Sequence, residues 1–167
     1  MVRKKICMLG AFAVGKTSLV RRYVEDIFSD KYQATIGVKV DKKVVTVDGR
    51  TVNLILWDLA GNDEYNKIRT FYLRGASGYL LVADKTRTNT LDAALHIHEI
   101  AQDVVGKVPC VLLLNKWDLA GKWDIAESTI ADLIQNGWDV IRTSAKTGMS
   151  VNDAFEVLAR KILQIGT

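Results

Sequence analysis

Apolar and polar positions alternate along this chain in two different rhythms. Residues 3–9 end in the apolar run Ile6-Cys7-Met8-Leu9, just before Gly10, and predict a strand. Residues 16–25 place Leu19, Val20, Tyr23 and Val24 on one stripe at helical spacing. Two strand-like runs follow, 38–47 and 51–57, joined through Val47-Asp48-Gly49-Arg50. The Asp-Gly pair favours a tight turn, so these two strands are expected to be antiparallel. Tyr79–Ala83 and Cys110–Leu114 are short and wholly apolar, as strands covered on both faces are. Val140-Ile141 marks a shorter last strand.

Helical patterns fall at about 63–75, 88–105, 125–136 and 150–165. The last opens with Ser150-Val-Asn-Asp153, read as a capping box, and carries Phe155, Leu158 and Ile162 on one face. This alternation predicts an α/β domain: a doubly wound, mainly parallel, six-stranded sheet with one antiparallel edge strand and about five helices. Ligands of such sheets bind beyond the C-terminal ends of the strands.

Composition narrows the class. A length of 167 residues suits one domain, 1–167, with a sizeable core, and 49% hydrophobic with 25% charged residues is globular usage. The net charge of +4 is spread over Arg3-Lys4-Lys5, Arg21-Arg22 and Lys42-Lys43, which reads as solvated surface and not as a nucleic-acid patch. Cys7 and Cys110 lie in apolar runs and read as buried free thiols. His96 and His98, two apart on a helix, face different ways and make a poor metal pair. No signal peptide, membrane-length apolar run or C-terminal prenylation cysteine is present, so a soluble, cytoplasmic chain without a membrane anchor is expected.

Candidate chemistry sits in four loops. Gly10-Ala-Phe-Ala-Val-Gly-Lys-Thr17 fits G-x-x-x-x-G-K-[ST], the phosphate-cradling loop. Gly10 and Gly15 permit close approach, and amides from about Ala13 and Val14 through Ser18 are expected to face phosphate oxygens. Lys16 would reach the β- and γ-phosphates and Thr17 would bind Mg²⁺. Asp58-Leu-Ala-Gly61 closes the second hairpin strand; Asp58 can hold a metal-bound water, and Gly61 can offer its amide to a γ-phosphate. Asn115-Lys116-Trp117-Asp118 follows the 110–114 strand. The Asp118 carboxylate can accept from guanine N1–H and the 2-amine, whereas adenine would leave it unpaired. The Lys116 stem can lie along the base. Thr143-Ser144-Ala145-Lys146 offers the Ala145 amide for guanine O6 and Lys146 for the other face of the base.

Taken in order, these motifs resemble a small GTPase of the Ras superfamily, in the manner of its Rab and Rho branches. Tyr32-Gln-Ala-Thr-Ile-Gly37, Asp48–Val52, Tyr72–Gly78 and Asp84-Lys-Thr-Arg87 carry the likeness between the motifs. The resemblance implies GTP and GDP as ligands and further roles. Thr35 would join Thr17 on Mg²⁺ and sense the γ-phosphate, with Asp58 acting through water. Phe28 would pack on the base edge, Tyr32 would lie near the phosphates, and residues 58–75 would be the second switch. Effectors and regulators would dock on the switch surface of a monomer, where Trp57 reads equally as a partner-facing or a packing aromatic.

The chain departs from the family in two places. Asn62 stands where the family usually has a glutamine that orients the attacking water, and it is about 1.5 Å shorter in reach. Phe12 stands where many relatives have glycine or another small residue; the resemblance places it against the path of an arginine supplied by a partner, and it reads equally as packing on the second switch. The catalytic set is therefore Lys16, Thr35, Gly61 and Asn62, with slow hydrolysis expected. A GTP-binding module with negligible turnover, or a GTPase domain excised from a larger protein, are the alternatives.

Overall fold

The computed structural model describes residues 1–31, 37–60, 70–119 and 125–165. Strand β1 (Val2–Gly10) is followed by helix α1 (Lys16–Glu25), strands β2 (Val38–Val47) and β3 (Arg50–Leu59), and a 3₁₀ turn at Thr70–Leu73. Then come β4 (Gly78–Asp84), α2 (Thr88–Val105), β5 (Cys110–Asn115), α3 (Glu127–Gln135), β6 (Val140–Arg142) and α4 (Val151–Ile165). Among the described residues the six strands form one sheet in the order β2-β3-β1-β4-β5-β6. The β2–β3 pair is antiparallel and all other pairs are parallel, as expected. Asp48 and Gly49 connect β2 to β3, both at positive φ (49° and 78°), the geometry a two-residue hairpin turn requires.

Period-two side-chain alternation builds two cores from the same strands. Ile6, Met8, Leu80, Val82, Val111 and Leu113 face one way, toward α1 and α4. Cys7, Leu9, Tyr79, Leu81, Leu112 and Leu114 face the other, toward α2. Apolar residues at successive positions therefore all find cover, which is why β4 and β5 read as unbroken hydrophobic runs. Tyr23 of α1 stacks on Phe155 of α4 at 4.0 Å between ring centroids, locking the two helices of the first face together.

Several boundaries differ from expectation. Of the helix expected at 63–75, residues 63–69 lie outside the described residues; within 70–75, Thr70–Leu73 form a 3₁₀ turn, and four α-helices stand among the described residues. Ser150 has φ 56° and not the extended geometry of a capping-box residue, and α4 starts one residue later. Cys7 is buried, whereas Cys110 is only half-buried; both are free. His96 is exposed, and the half-buried His98 shares a 2.8 Å hydrogen bond through Nδ1 with the Tyr79 hydroxyl. Not all the basic side chains are simply solvated. The Lys5 ammonium sits 3.7 Å over the Trp57 ring, and that of Lys43 sits 3.8 Å over Tyr23 while donating to the Tyr23 carbonyl. No described helix is long and apolar enough to cross a membrane.

Candidate functional site

The loop between β1 and α1 is held through its carbonyls. Phe12 O accepts from Arg87 Nη2 at 3.0 Å, Ala13 O from Lys116 Nζ at 2.9 Å, and Val14 O from Asn115 Nδ2 at 3.0 Å. In a trans peptide the N–H points opposite to the C=O. Fixing these three carbonyls therefore fixes the amides of Ala13, Val14 and Gly15 in the opposite direction. Lys16 Nζ donates to Gly10 O at 2.8 Å and Ala11 O at 3.0 Å, spanning the start of the same loop.

Backbone geometry explains the two glycines. Gly15 has φ 102°, and a Cβ there would stand 2.3 Å from Asn115 Nδ2. A Cβ on Gly10 would stand 2.5 Å from Val82 O of β4. Helix α1 begins at Lys16 with no capping side chain and no acidic residue in its first turn. With no acidic side chain there to neutralise it, the positive end of the helix favours an anionic group. Lys16 is only 6% exposed, and burial pushes its ammonium down to about 8, against the opposing pull of the Asp58 carboxylate.

Asp58 comes from β3, where it is 1% exposed and aligned with Met8 of β1. The strand runs on to Leu59, so Asp58 is part of the sheet and not of a turn beyond it. Thr17 Oγ1 donates to Asp58 Oδ2 at 2.6 Å. A hydroxyl and a carboxylate oxygen meeting at a loop rich in amides form a hard-oxygen donor set, and they fit Mg²⁺ chemistry.

The base-side motifs gather at the ends of β5 and β6. Asn115 is 1% exposed and makes three side-chain hydrogen bonds: besides Nδ2 holding Val14 O, its Oδ1 accepts from Thr143 Oγ1 at 3.2 Å and Ala145 N at 3.3 Å. The Ala145 amide expected to face a base thus also touches Asn115. Asp118 Oδ1 accepts from Ser144 Oγ at 2.8 Å, and that hydroxyl accepts from Thr147 N at 3.1 Å. Ser144 thereby orients the carboxylate. A cavity of about 310 Å³ runs from Phe12 and Lys16, past Phe28, to Asp118, Ala145 and Lys146. It lies at the C-terminal edge of the sheet, where the topology places ligands. Ser18 also lines it. Tyr32, Thr35, Gly61 and Asn62 lie outside the described residues.

The sequence marked a second group, Asp84–Arg87, only as part of the resemblance and gave it no role at the site. Asp84, at the end of β4, is 2% exposed. Its Oδ1 accepts from Thr86 N (2.9 Å) and Oγ1 (2.7 Å), and its Oδ2 meets Arg87 Nε (3.1 Å) and Lys116 Nζ (2.9 Å). Burial alone would raise the Asp84 pKa, but the hydrogen bonds from Thr86 and Lys116 prevail and hold it below the usual carboxylate value. Lys85, fully buried, donates to Trp117 O at 3.2 Å within the guanine-type motif. The available signal was position: Asp84–Arg87 is a polar tetrapeptide placed directly after a wholly apolar strand.

A carbonyl-tethered phosphate loop, a metal-type hydroxyl–carboxylate pair and an Asn-Lys-x-Asp motif on this sheet define a P-loop small G domain. A family model described as the Ras family matches residues 5–164. The chain is 35% identical over 161 residues to Ras-related protein Rab-13 of Mesocricetus auratus, covering 95% of this chain and 79% of that protein. It is 34% identical to Ras-related protein Rab-8B of Homo sapiens over 161 residues (95% and 78%). With Ras-related protein Rab-32 of Homo sapiens the identity is 35% over 169 residues (95% and 74%). The chain belongs to the Ras family, and is thus a GTP-binding small G protein of the GTPase class.

Proposed function

We propose that residues 1–167 act as one G domain that binds GTP and GDP with Mg²⁺, hydrolyses GTP slowly, and signals by the difference between the two states. The observation that carries this reading is the pairing of a phosphate loop with an oriented Asp118 across one cavity. Asp118 accepts the two guanine donors while Ser144 holds its carboxylate, and Lys116, Lys146 and Phe28 flank the base. The amides of residues 13–18 and the Lys16 ammonium neutralise the β- and γ-phosphates. Thr17 and Thr35 would hold Mg²⁺, with Asp58 acting through water, and the ion would supply charge neutralisation there. Hydrolysis is in-line attack of water on the γ-phosphorus: a new P–O bond forms as the bond to GDP breaks. Gly61 gives its amide to the γ-phosphate, and Asn62 orients the water from a shorter arm.

Tyr32, Thr35 and the 58–75 segment change with the γ-phosphate, and effectors and regulators dock there on a monomer that works in the cytoplasm, with no nucleic acid involved. A second reading, nucleotide binding with negligible turnover, is favoured by Asn62 and by Phe12, a loop residue that is 38% exposed. Both readings require guanine selection, which competition of GTP, GDP and ATP for a fluorescent GDP analogue tests. GTP and GDP should displace the probe and ATP should not; equal competition by ATP would end the guanine assignment.

A further inference from the structure

We propose that Arg87 is a positioning residue for the phosphate loop, one that holds the Phe12–Ala13 peptide in its nucleotide-receiving orientation and so sets how long nucleotide stays bound. The proposal rests on the reading of this loop as the phosphate site. Arg87 is well placed to act as a strut. Its Nε is fixed on Asp84 Oδ2 at 3.1 Å, and its Nη2 reaches Phe12 O at 3.0 Å, 75 residues away in sequence.

The anchor is rigid. Asp84 is 2% exposed, its other oxygen is held by two bonds from Thr86, and Thr90 Oγ1 ties the Asp84 backbone to the start of α2. The same carboxylate oxygen carries Lys116, which holds the next loop carbonyl, Ala13 O. One buried carboxylate thus supports two cations on two successive loop peptides, and Asn115 holds the third.

The loop has a specific need for this restraint. Ala13 adopts φ 63°, a left-handed conformation that an alanine takes only where its surroundings impose it. If the Phe12–Ala13 peptide turned over, a carbonyl oxygen would replace the Ala13 amide toward phosphate and repel it. Arg87 blocks that turn by engaging the carbonyl from the other side. The guanidinium is suited to the task because its fork meets two acceptors at once, which an ammonium does less well.

The test is the release rate of a fluorescent GDP analogue from the Mg²⁺-loaded protein, together with the backbone amide resonances of ¹⁵N-labelled, GDP-loaded protein. Removing a charge-assisted bond to a part-exposed group should speed release roughly fivefold to tenfold in Arg87→Ala. Arg87→Lys should fall between the native protein and Arg87→Ala, and it serves alone if the alanine variant does not fold. The Ala13 amide resonance should move in Arg87→Ala, while that of Gly15, fixed through Asn115, should stay. Native release rates in both variants would overturn the proposal. So would faster release with the Ala13 resonance unmoved, which would mean a general structural role. If the native protein does not retain the GDP analogue, the phosphate-site reading itself fails, which is a separate outcome.

Discussion

Replacing Gly15 by alanine should cripple nucleotide retention, and the size of the effect follows from the loop geometry. The new Cβ would stand 2.3 Å from Asn115 Nδ2, well inside contact distance, at a residue whose φ is 102°. Holding an alanine in that conformation costs about 1–3 kcal/mol. Asn115 can retreat only by giving up bonds to Val14 O, Thr143 Oγ1 and Ala145 N. These are buried and each contributes about 1 kcal/mol, so their loss adds roughly 3 kcal/mol. Of a total near 4–6 kcal/mol, even half expressed at the nucleotide site weakens binding by roughly 30- to 150-fold. The assay is dissociation of a fluorescent GDP analogue, with circular dichroism to establish that the variant is folded. A folded Gly15→Ala protein that releases GDP at the native rate would refute the claim that the Gly15–Asn115 approach shapes the site.

Three further outcomes are expected. Asp118→Asn should weaken GTP binding and shift preference to xanthine nucleotides, whose 2-carbonyl accepts from the new amide; competition with GTP and XTP checks it, and retained guanine preference would contradict it. Because burial lowers Lys16 to about 8, the free protein loses this charge as pH rises through that value, and phosphate must restore it. Apparent GDP affinity should therefore fall between about pH 8 and 9.5, with proton uptake visible by calorimetry in buffers of different ionisation enthalpy; affinity flat across that range would contradict it. Asn62→Gln should accelerate single-turnover GTP hydrolysis by roughly tenfold or more, about 1.4 kcal/mol of barrier; an unchanged or slower rate would mean that another group positions the water.

The parts of the fold that were legible in the sequence are those written in local patterns. The Asp48-Gly49 turn, the apolar runs of β4 and β5, and the stripe of α1 each depend on near neighbours, and all stand where expected. The phosphate loop and the Asn115–Asp118 motif were legible because fixed spacing is itself the chemistry. The tethering of that loop was not, because Arg87 and Phe12 are joined only after β1 and β4 align in parallel. Spacing along the chain carries no trace of that pairing. The anchoring of Lys5 over Trp57 and of Lys43 over Tyr23 was hidden for the same reason: the basic residues look solvated until β3 and α1 supply rings beneath them. Ser150 shows a limit of a different kind, since a capping-box pattern says nothing of a backbone turned to φ 56°.

The central claim, a guanine-nucleotide site that turns over slowly, is tested most directly by the nucleotide the purified protein carries. Denatured protein should release a stoichiometric amount of guanine nucleotide on ion-exchange chromatography, and protein reloaded with GTP should convert it to GDP over hours while it remains bound. Adenine nucleotide in the released fraction, or folded protein that neither carries nor takes up guanine nucleotide, would contradict the account.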